Sequence, residues 1–294
     1  MKLTVDHYFH IGHMHYTSGK PCQDHALSLS GTGFAGVVVS DGCSSGGNTD
    51  IGSRIISCAT VQGIIDHRNA SPNSLQTATQ SIVTRQKQIL SSARPLLGLA
   101  ENDLLATCVY AYASEIGALI SIQGDGAYAI KHKSGSMIIG KFEWLDNMPF
   151  YPAYRERNLE IFIDAQKKNG EKPYTNETFY LDSQGHYLSP IINSYTAEEG
   201  VNGIQIPISV DELKNIELIA VFTDGVVQVD GVTWIDAIKE FLAFKNFGGG
   251  FCRRRMKRAI KDFQSIIKDP QNNTGKGPQD DIACAVIHIE DDGG

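Results

Sequence analysis

The sequence reads Val37-Val38-Val39-Ser40-Asp41-Gly42 in its first part and Leu218-Ile219-Ala220-Val221-Phe222-Thr223-Asp224-Gly225 nearer its end. Each stretch is an apolar run followed by a hydroxyl residue and Asp-Gly, which predicts a buried β-strand that ends on a carboxylate and a tight turn. A third stretch, Ile120-Ser121-Ile122-Gln123-Gly124-Asp125-Gly126, repeats the pattern with glycine in place of the hydroxyl residue. Asp280-Asp281 stands instead at the start of an apolar run that extends to Ile287. The chain therefore places carboxylates at the ends of several predicted core strands.

These carboxylates are expected to form a metal site. Acidic side chains beside buried strands are costly to desolvate unless they are paired or bind a cation. In an antiparallel sheet the end of one strand lies beside the start of its neighbour, so Asp41, Asp224 and Asp280 can share one edge, and Asp24 can join them. Mg²⁺ and Mn²⁺ bind carboxylate, carbonyl and water oxygens, and the carbonyl of Gly42 can also serve. One Asp-Gly usually marks only a β-turn, but the repeated apolar lead-in favours a metal site.

Length and composition are those of a soluble globular protein. The chain has 294 residues, 41% hydrophobic and 20% charged, which is enough to bury a substantial core. A formal net charge of -7 argues against a general nucleic-acid binder, which usually carries a basic excess. No segment has the hydropathy of a membrane span or signal core, and the six scattered cysteines form no CxxC pair. We therefore expect a cytoplasmic protein with neither a nucleic-acid partner nor a membrane partner.

The order of patterns along the chain predicts an α+β domain with helices stacked on sheets. Short turns between the early strand-like runs predict antiparallel hairpins, and the runs cover about residues 2–11, 25–31, 33–40, 104–113, 116–123, 126–132 and 136–141. Helical spacing of apolar residues predicts two helices between Asp41 and Leu104. Later segments read as strands near 217–223 and 282–289 and as helices near 232–245 and 251–268. Residues 143–207 lack such periodicity, which suggests a loop-rich flap, or merely surface packing, within a single domain spanning residues 1–294.

The motifs resemble those of the metal-dependent Ser/Thr protein phosphatases of type 2C, most of all the bacterial branch. The likeness runs from about Gly12 to Ile289, and each motif alone is weak, but together they stand in the family's order. The matching segments are Gly19-Lys20-Pro21-Cys22-Gln23-Asp24, Val39-Ser40-Asp41-Gly42, Ala106-Thr107-Cys108 with Gln123-Gly124-Asp125-Gly126, Val221-Phe222-Thr223-Asp224-Gly225, and Gln279-Asp280-Asp281-Ile282. Two positions vary: Gln23 stands where many members have Glu, and Asp281 where Asn is usual.

The resemblance implies a fold, a reaction and a set of ligands. The implied fold is a four-layer αββα sandwich, in which helical pairs flank two central antiparallel sheets. The implied reaction is hydrolysis of phosphoserine or phosphothreonine by a metal-activated water at a pair of Mn²⁺ or Mg²⁺ ions. The implied partners are a phosphorylated protein and a cognate Ser/Thr kinase, as in signal transduction. The implied ligands are Asp24 through water, Asp41 as the bridge, the Gly42 carbonyl, Asp224 and Asp280, with Asp125 at a third, weaker metal position.

Two departures from the family pattern concern the chemistry. Many members have a histidine after the bridging Asp-Gly that is thought to protonate the leaving group, and here Cys43 stands in that place. The arginine that often binds phosphate before the first acidic motif is also missing, since Gly19 and Lys20 occupy that region. We take Lys20 and His15 as the candidates for these two roles. Loss of a general acid typically costs on the order of 10²–10⁴ in rate.

Other interpretations stay open at this point. The missing groups suggest a catalytically weak module that binds phosphoproteins on the same fold, and another phosphoester hydrolase is a further alternative. His13 and His15 alternate as zinc ligands sometimes do, but the His-x-His-x-Asp-His pattern of metallo-β-lactamase-type hydrolases fails at Thr17 and Ser18, so edge histidines are the better account. The basic run from Arg253 to Arg258 is read as a solvated helix face in preference to a docking face.

Overall fold

Two antiparallel β-sheets form the centre of the fold. The computed structural model of the chain describes residues 1–70, 74–266 and 277–291. Its strands are β1 (Lys2–His10), β2 (His25–Gly31), β3 (Phe34–Ser40), β4 (Cys108–Ser114), β5 (Gly117–Gln123), β6 (Gly126–His132), β7 (Met137–Trp144), β8 (Tyr174–Leu181), β9 (Ile191–Tyr195), β10 (Ile204–Ile208), β11 (Ile216–Phe222) and β12 (Ile282–Glu290). The seven-stranded sheet has the order β1-β12-β11-β6-β7-β8-β9, and the five-stranded sheet has the order β10-β5-β4-β3-β2.

Helices cover the outer faces of both sheets. The α-helices are α1 (His13–Ser18), α2 (Thr49–Asn69), α3 (Gln76–Leu97), α4 (Leu159–Asn169), α5 (Ala197–Asn202), α6 (Val210–Leu213), α7 (Trp234–Phe241) and α8 (Phe251–Ile266). The pair α2 and α3 packs on the five-stranded sheet. The pair α7 and α8 packs on the seven-stranded sheet. No helix among the described residues is long and apolar enough to cross a membrane.

The apolar core is divided into three layers by the two sheets. Successive side chains of a strand point to opposite faces, so β3 directs Val37 and Val39 between the sheets and Val38 toward α2 and α3. Because both faces of β3 are covered, its sequence is a continuous apolar run without polar alternation. The four layers confirm the α+β class and the αββα sandwich expected from the sequence.

Residues 143–207 differ from the loop-rich flap suggested by their sequence. They contain α4, α5, β8, β9 and β10, so most of the segment has regular structure. β8 and β9 extend the seven-stranded sheet beyond β7, while β10 pairs antiparallel with β5 at the edge of the other sheet. The periodicity is weak because β9 is an edge strand whose side chains are largely exposed on both faces.

Glycine allows the two helices over the five-stranded sheet to approach closely. Gly63 lies in the middle of α2, and a Cβ atom built there would stand 2.5 Å from the Cα atom of Ile82 in α3. Real Cβ atoms do not approach other carbon atoms so closely, so a side chain at this position must push the helices apart. The packing of α2 on α3 therefore depends on Gly63.

We expect Gly63→Ala to destabilise the protein by about 1–3 kcal/mol through overpacking. The same substitution in an isolated helix stabilises the helix by about 1 kcal/mol, because alanine has the higher helix propensity. A loss of stability in the protein therefore reports the overpacking. Urea unfolding with an unchanged slope measures the difference. Gly249→Ala is the control, since a Cβ atom there meets nothing within 4 Å. A Gly63→Ala variant as stable as the unmodified protein would contradict this account of the helix contact.

Candidate metal centre

Five carboxylates, here called the acidic cluster, lie where strands begin or end. Asp24 precedes β2, Asp41 follows β3, Asp125 separates β5 from β6, Asp224 follows β11 and Asp280 comes just before β12. Asp41 lies near enough to feel the charges of Asp24, Asp125 and Asp224, and Asp224 in turn feels that of Asp280. Segments far apart in the sequence therefore bring their acids to one place between the two sheets.

Thr223 joins the two sheets at this edge. Its hydroxyl donates a 2.6 Å hydrogen bond to Oδ2 of Asp24, which leads into β2 of the five-stranded sheet. The same hydroxyl oxygen accepts a 2.7 Å hydrogen bond from the backbone N–H of Ala283 in β12 of the seven-stranded sheet. The Thr223 hydroxyl therefore holds Asp24, at the start of β2 in the five-stranded sheet, against the seven-stranded sheet.

Thr107 fixes Asp41 in a similar way. Its backbone N–H donates to the carbonyl of Asp41 at 2.8 Å, and its hydroxyl accepts from the backbone N–H of Asp41 at 3.1 Å. The next residue, Gly42, donates its N–H to the carbonyl of Gln23 at 3.2 Å. A Cβ atom at Gly42 would stand 2.6 Å from the carbonyl oxygen of Thr49, so only glycine fits. The Asp41-Gly42 turn is therefore held by backbone contacts.

A glycine also brings the end of β11 against the start of β12. A Cβ atom at Gly225 would lie only 1.8 Å from the carbonyl oxygen of Asp281, so the two backbones touch. Gln228, one turn further on, donates from Nε2 to Oδ2 of Asp224 at 3.3 Å and to Oδ2 of Asp280 at 3.4 Å. The amide therefore bridges two carboxylates that would otherwise face each other unshielded.

Burial and mutual repulsion raise the pKa values of the carboxyl groups in the acidic cluster. Burial raises the pKa of Asp24 and of Asp41 well above the usual range, and for Asp41 the charges of Asp224, Asp24 and Asp125 add to this rise. Burial likewise raises the pKa of Asp125, with the charge of Asp224 contributing. Burial and the charge of Asp280 raise the pKa of Asp224 to about 6. In the absence of a cation the cluster therefore holds protons that isolated carboxylates would release.

The donor set fits divalent metal ions. Oδ1 of Asp24 and Oδ1 of Asp125 are buried without a hydrogen-bond partner among the described residues. Within that part of the chain, no lysine or arginine forms an ion pair with a member of the acidic cluster. Buried carboxylate oxygens without counter-charges are the ligands that Mg²⁺ and Mn²⁺ bind. The residues present therefore suit hard cations.

Both carboxylate oxygens of Asp281, the residue after Asp280, accept hydrogen bonds from the protein. Its Oδ1 accepts from the backbone N–H of Gly12 at 2.7 Å, and its Oδ2 accepts from that of Gln23 at 2.5 Å. His15 Nδ1 also lies 2.8 Å from Oδ2, and 4.0 Å from Oδ1 of Asp280. Ligand atoms of His15, Asp280 and Asp281 lie within 4.8 Å of one another. The two N–H donors show that Asp281 organises the chain around the site.

The sequence-predicted candidates for phosphate binding and proton donation occupy different surroundings. His15 is buried, 5% exposed, and hydrogen-bonded to Asp281. Lys20 is exposed, and its Nζ donates to the carbonyl of Ser44 at 3.4 Å, so it lies over the loop that follows Asp41-Gly42. Cys43 lies in that loop, and its thiol is 3.1 Å from the hydroxyl of Ser45.

Tyr151 is a site residue that the sequence analysis did not single out. Its ring is buried, and its hydroxyl lies near the thiol of Cys43. Burial raises the pKa of Tyr151, and the nearby Cys43, Asp41 and Asp125 raise it further. The preceding residue also touches the site, because a Cβ atom at Gly124 would lie 2.8 Å from the carbonyl oxygen of Phe150. The aromatic composition of residues 150–154 was the available signal, but it could not indicate a contact with a loop about a hundred positions earlier.

Comparison with known proteins gives a consistent result. A family model described as Protein phosphatase 2C matches residues 11–257. The serine/threonine phosphatase Stp1 from Staphylococcus aureus has a similar fold, with a TM-score of 0.54 and 13% identity over 99% of this chain and 96% of that chain. The Mycobacterium tuberculosis serine/threonine phosphatase PstP/Ppp is also similar, with a TM-score of 0.51 and 11% identity over 99% of this chain and 100% of that chain. No curated protein matches the sequence.

We expect Asp281→Asn to destabilise the metal-free protein by about 2 kcal/mol, because the new amide must point its NH₂ group at one of two backbone donors. Urea unfolding in the presence of EDTA measures the change. Asp280→Asn is the matched control at the adjacent position, where the side chain is 28% exposed and the neighbouring Asp224 repels it. That variant should be as stable as the unmodified protein or more so. Equal losses in both variants would contradict the role given to Asp281.

Metal binding is expected to reverse the effect of pH on stability. Carboxyl groups with a raised pKa in the folded state bind more protons than in the unfolded state, so the metal-free protein should lose stability as pH rises from about 4 to about 6. A cation that binds the ionised carboxylates should stabilise the protein by about 2.7 kcal/mol at pH 7.5, at a hundred times its dissociation constant there, and by less at pH 5. Thermal unfolding with and without Mn²⁺ at both pH values measures this difference. An equal rise of Tm at both pH values would contradict it, as would the same rise in an Asp41→Asn/Asp224→Asn variant.

Proposed function

Because the chain belongs to the protein phosphatase 2C family, whose members are hydrolases that act on phosphorylated proteins, we propose that it hydrolyses phosphoserine or phosphothreonine at the acidic cluster. The observation that carries this proposal is the convergence of Asp24, Asp41, Asp224 and Asp280 from separate segments without a lysine or arginine partner among the described residues. Such a cluster is fully ionised at neutral pH only when cations balance its charge.

The proposed cofactor is a pair of Mn²⁺ or Mg²⁺ ions. Asp41 would bridge them, Asp224, Asp280 and the carbonyl of Gly42 would complete the direct ligands, and Asp24 would act through water. The Thr223–Asp24 and Thr107–Asp41 hydrogen bonds support this assignment, because the first orients the Asp24 carboxylate and the second fixes the backbone of Asp41. Asp125 would belong to a third, weaker position. When bound, two such ions lower the pKa of a water molecule and neutralise the charge of the transferring phosphoryl group.

The chain's own residues would bind and orient the phosphoprotein. Lys20 is proposed to contact the phosphate, because its ammonium lies over the Cys43–Ser45 loop beside Gly42. His15 is proposed to act near Asp280, with Asp281 holding its ring through Nδ1. Tyr151 is proposed to limit the access of water to Asp41 and Asp125, because its buried ring lies close enough to feel both charges. The phosphorylated substrate implies a cognate Ser/Thr kinase as the functional partner.

A second candidate function is a weak phosphatase that mainly binds phosphoproteins. The observation that favours it is Cys43 in the place of the usual histidine, because its thiol lies 3.1 Å from the hydroxyl of Ser45 and cannot act as an imidazole. Such a protein would hold a phosphopeptide at the metals without rapid cleavage. Single-turnover kinetics separate the two functions, since a binder retains the peptide uncleaved in the presence of excess protein.

We expect EDTA-sensitive release of phosphate from phosphothreonine peptides in the presence of Mn²⁺. Asp41→Asn and Asp224→Asn should each reduce turnover by about a hundredfold or more, because each removes a charged ligand of the metal pair. Asp211→Asn is the control, since Asp211 is exposed in α6 and pairs only with Lys214 among the described residues. Unfolding curves in EDTA check that all variants stay folded.

Unchanged turnover in both ligand variants would overturn the assignment of the acidic cluster. Cleavage of p-nitrophenyl phosphate without cleavage of any phosphopeptide would indicate another phosphoester hydrolase on the same metals. Tight binding of phosphopeptide with no cleavage in a single turnover would favour the binding function.

A further inference from the structure

We propose that one exposed side of α8 binds an acidic segment of the phosphoprotein substrate, next to the phosphorylated residue. This inference rests on the proposed phosphatase function and adds the class of substrate. The surface consists of Arg253, Lys257 and Lys261, which we call the basic row. Their spacing of four residues places them along one side of the helix, and all three are exposed.

The cations of α8 fall into two sets with different surroundings. Arg254 donates from Nη2 to Oδ1 of Asn246 at 2.9 Å and to the carbonyl of Gly248 at 3.1 Å, so it ties down the preceding loop. Arg255 forms an ion pair with Glu240 at the end of α7. Arg258 lies 3.9 Å from a carboxylate oxygen of Asp262 on the same helix. These three arginines are engaged by groups of the protein itself.

The basic row has no such partners. Within the described part of the chain, none of its three side chains forms an ion pair or a hydrogen bond with another side chain. Lys257 instead places its ammonium 5.9 Å from the centre of the Tyr8 ring in β1. Burial raises the pKa of Tyr8 and the charge of Arg253 opposes that rise, so Arg253 also lies close to this ring. The row therefore presents free positive charge beside the edge strand of the seven-stranded sheet.

The basic row runs toward the acidic cluster. At the start of α8, the backbone N–H of Cys252 donates to Asp6 in the middle of β1 at 2.7 Å. Further along, Lys257 lies over Tyr8, and near the end the side chains of Ile260 and Gln264 approach Gly277. β1 runs in the same direction and ends just before Gly12, whose N–H donates to Asp281. A peptide that follows the row from Arg253 to Lys261 is thus led to the edge where the cluster lies.

Charge complementarity identifies the occupant. The chain carries a net charge of -7, so a local row of three unpaired cations is an exception on an acidic molecule. At a rise of about 1.5 Å per residue, the row extends for about 12 Å, which matches roughly four residues of an extended peptide. Asp, Glu or phosphorylated side chains in such a peptide would pair with the row while the phosphorylated residue reaches the metals. A solvated face, the interpretation favoured by the sequence alone, does not explain why the arginines on the other side are engaged and the row is not.

The test compares two double variants with equal loss of charge. Arg253→Gln/Lys257→Gln removes two members of the basic row, and Lys245→Gln/Arg258→Gln removes two exposed cations away from the row, one in the loop before α8 and one on the helix. The probes are phosphothreonine peptides flanked by four glutamates on either side, and the same peptides with glutamines. For the unmodified protein we expect kcat/KM to be about fivefold higher with the glutamates, through KM and less so in high salt. The first variant should lose this preference, the second should keep it, and both should cleave p-nitrophenyl phosphate normally.

Fluorescence anisotropy with the unphosphorylated glutamate peptide tests docking without catalysis. Weaker binding by the first variant alone supports the basic row, even if no phosphopeptide is cleaved and the proposed phosphatase function fails. Cleavage of both peptide types at equal rates, with equal binding by both variants, overturns the docking proposal and leaves the phosphatase function intact. Binding that depends on the row with phosphatidylserine vesicles or a DNA duplex, but not with the peptide, also overturns it in favour of those ligands.

Discussion

The rest of the structure depends on holding two buried and three half-buried carboxylates together between two sheets. Burial alone raises the pKa of Asp24 and Asp41, and each further acid raises the free-energy cost of ionising its neighbours. The protein holds this arrangement with contacts that do not neutralise it, above all the Thr223 hydroxyl that joins Asp24 to β12. A site assembled in this way would be preorganised for the proposed cations, because the hydrogen bond from Thr223 already orients the Asp24 carboxylate.

Asp281 differs from the acidic cluster, because the protein supplies hydrogen-bond donors to both of its carboxylate oxygens. It is as buried as Asp24, 2% against 1% exposed, yet it accepts two backbone N–H groups and contacts His15. Asp24 has one hydroxyl donor and a second oxygen without a partner among the described residues. Two acids on the same edge therefore differ. Asp281 holds the segment from Gly12 to Gln23 in place, whereas Asp24 keeps an oxygen available for a ligand.

Much of this site could be predicted from the sequence, because its parts are local signals. An apolar run that ends in Thr223-Asp224-Gly225 specifies a strand, its end and a close turn within a few residues. The partners of those parts could not be predicted, since the contact of Tyr151 with Cys43 and the pairing of β10 with β5 join segments distant in sequence. The regular structure within residues 143–207 could not be predicted either, because edge strands and short helices leave little periodicity.

The negative charge of the acidic cluster explains why a separate positive surface, such as the basic row, would be needed to attract the substrate. Before cations bind, the cluster would repel any phosphoprotein, and even with metals bound the net charge of -7 opposes the approach of an acidic substrate. Positive side chains among the proposed metal ligands would weaken cation binding, so attraction for the substrate beyond that of Lys20 would come from a neighbouring surface. The Arg253–Lys257–Lys261 side of α8 meets this need, because it is unpaired within the described chain and lies beside β1, which leads to Gly12 and Asp281. Separation of the two charges would let one fold bind cations and attract acidic protein segments at once.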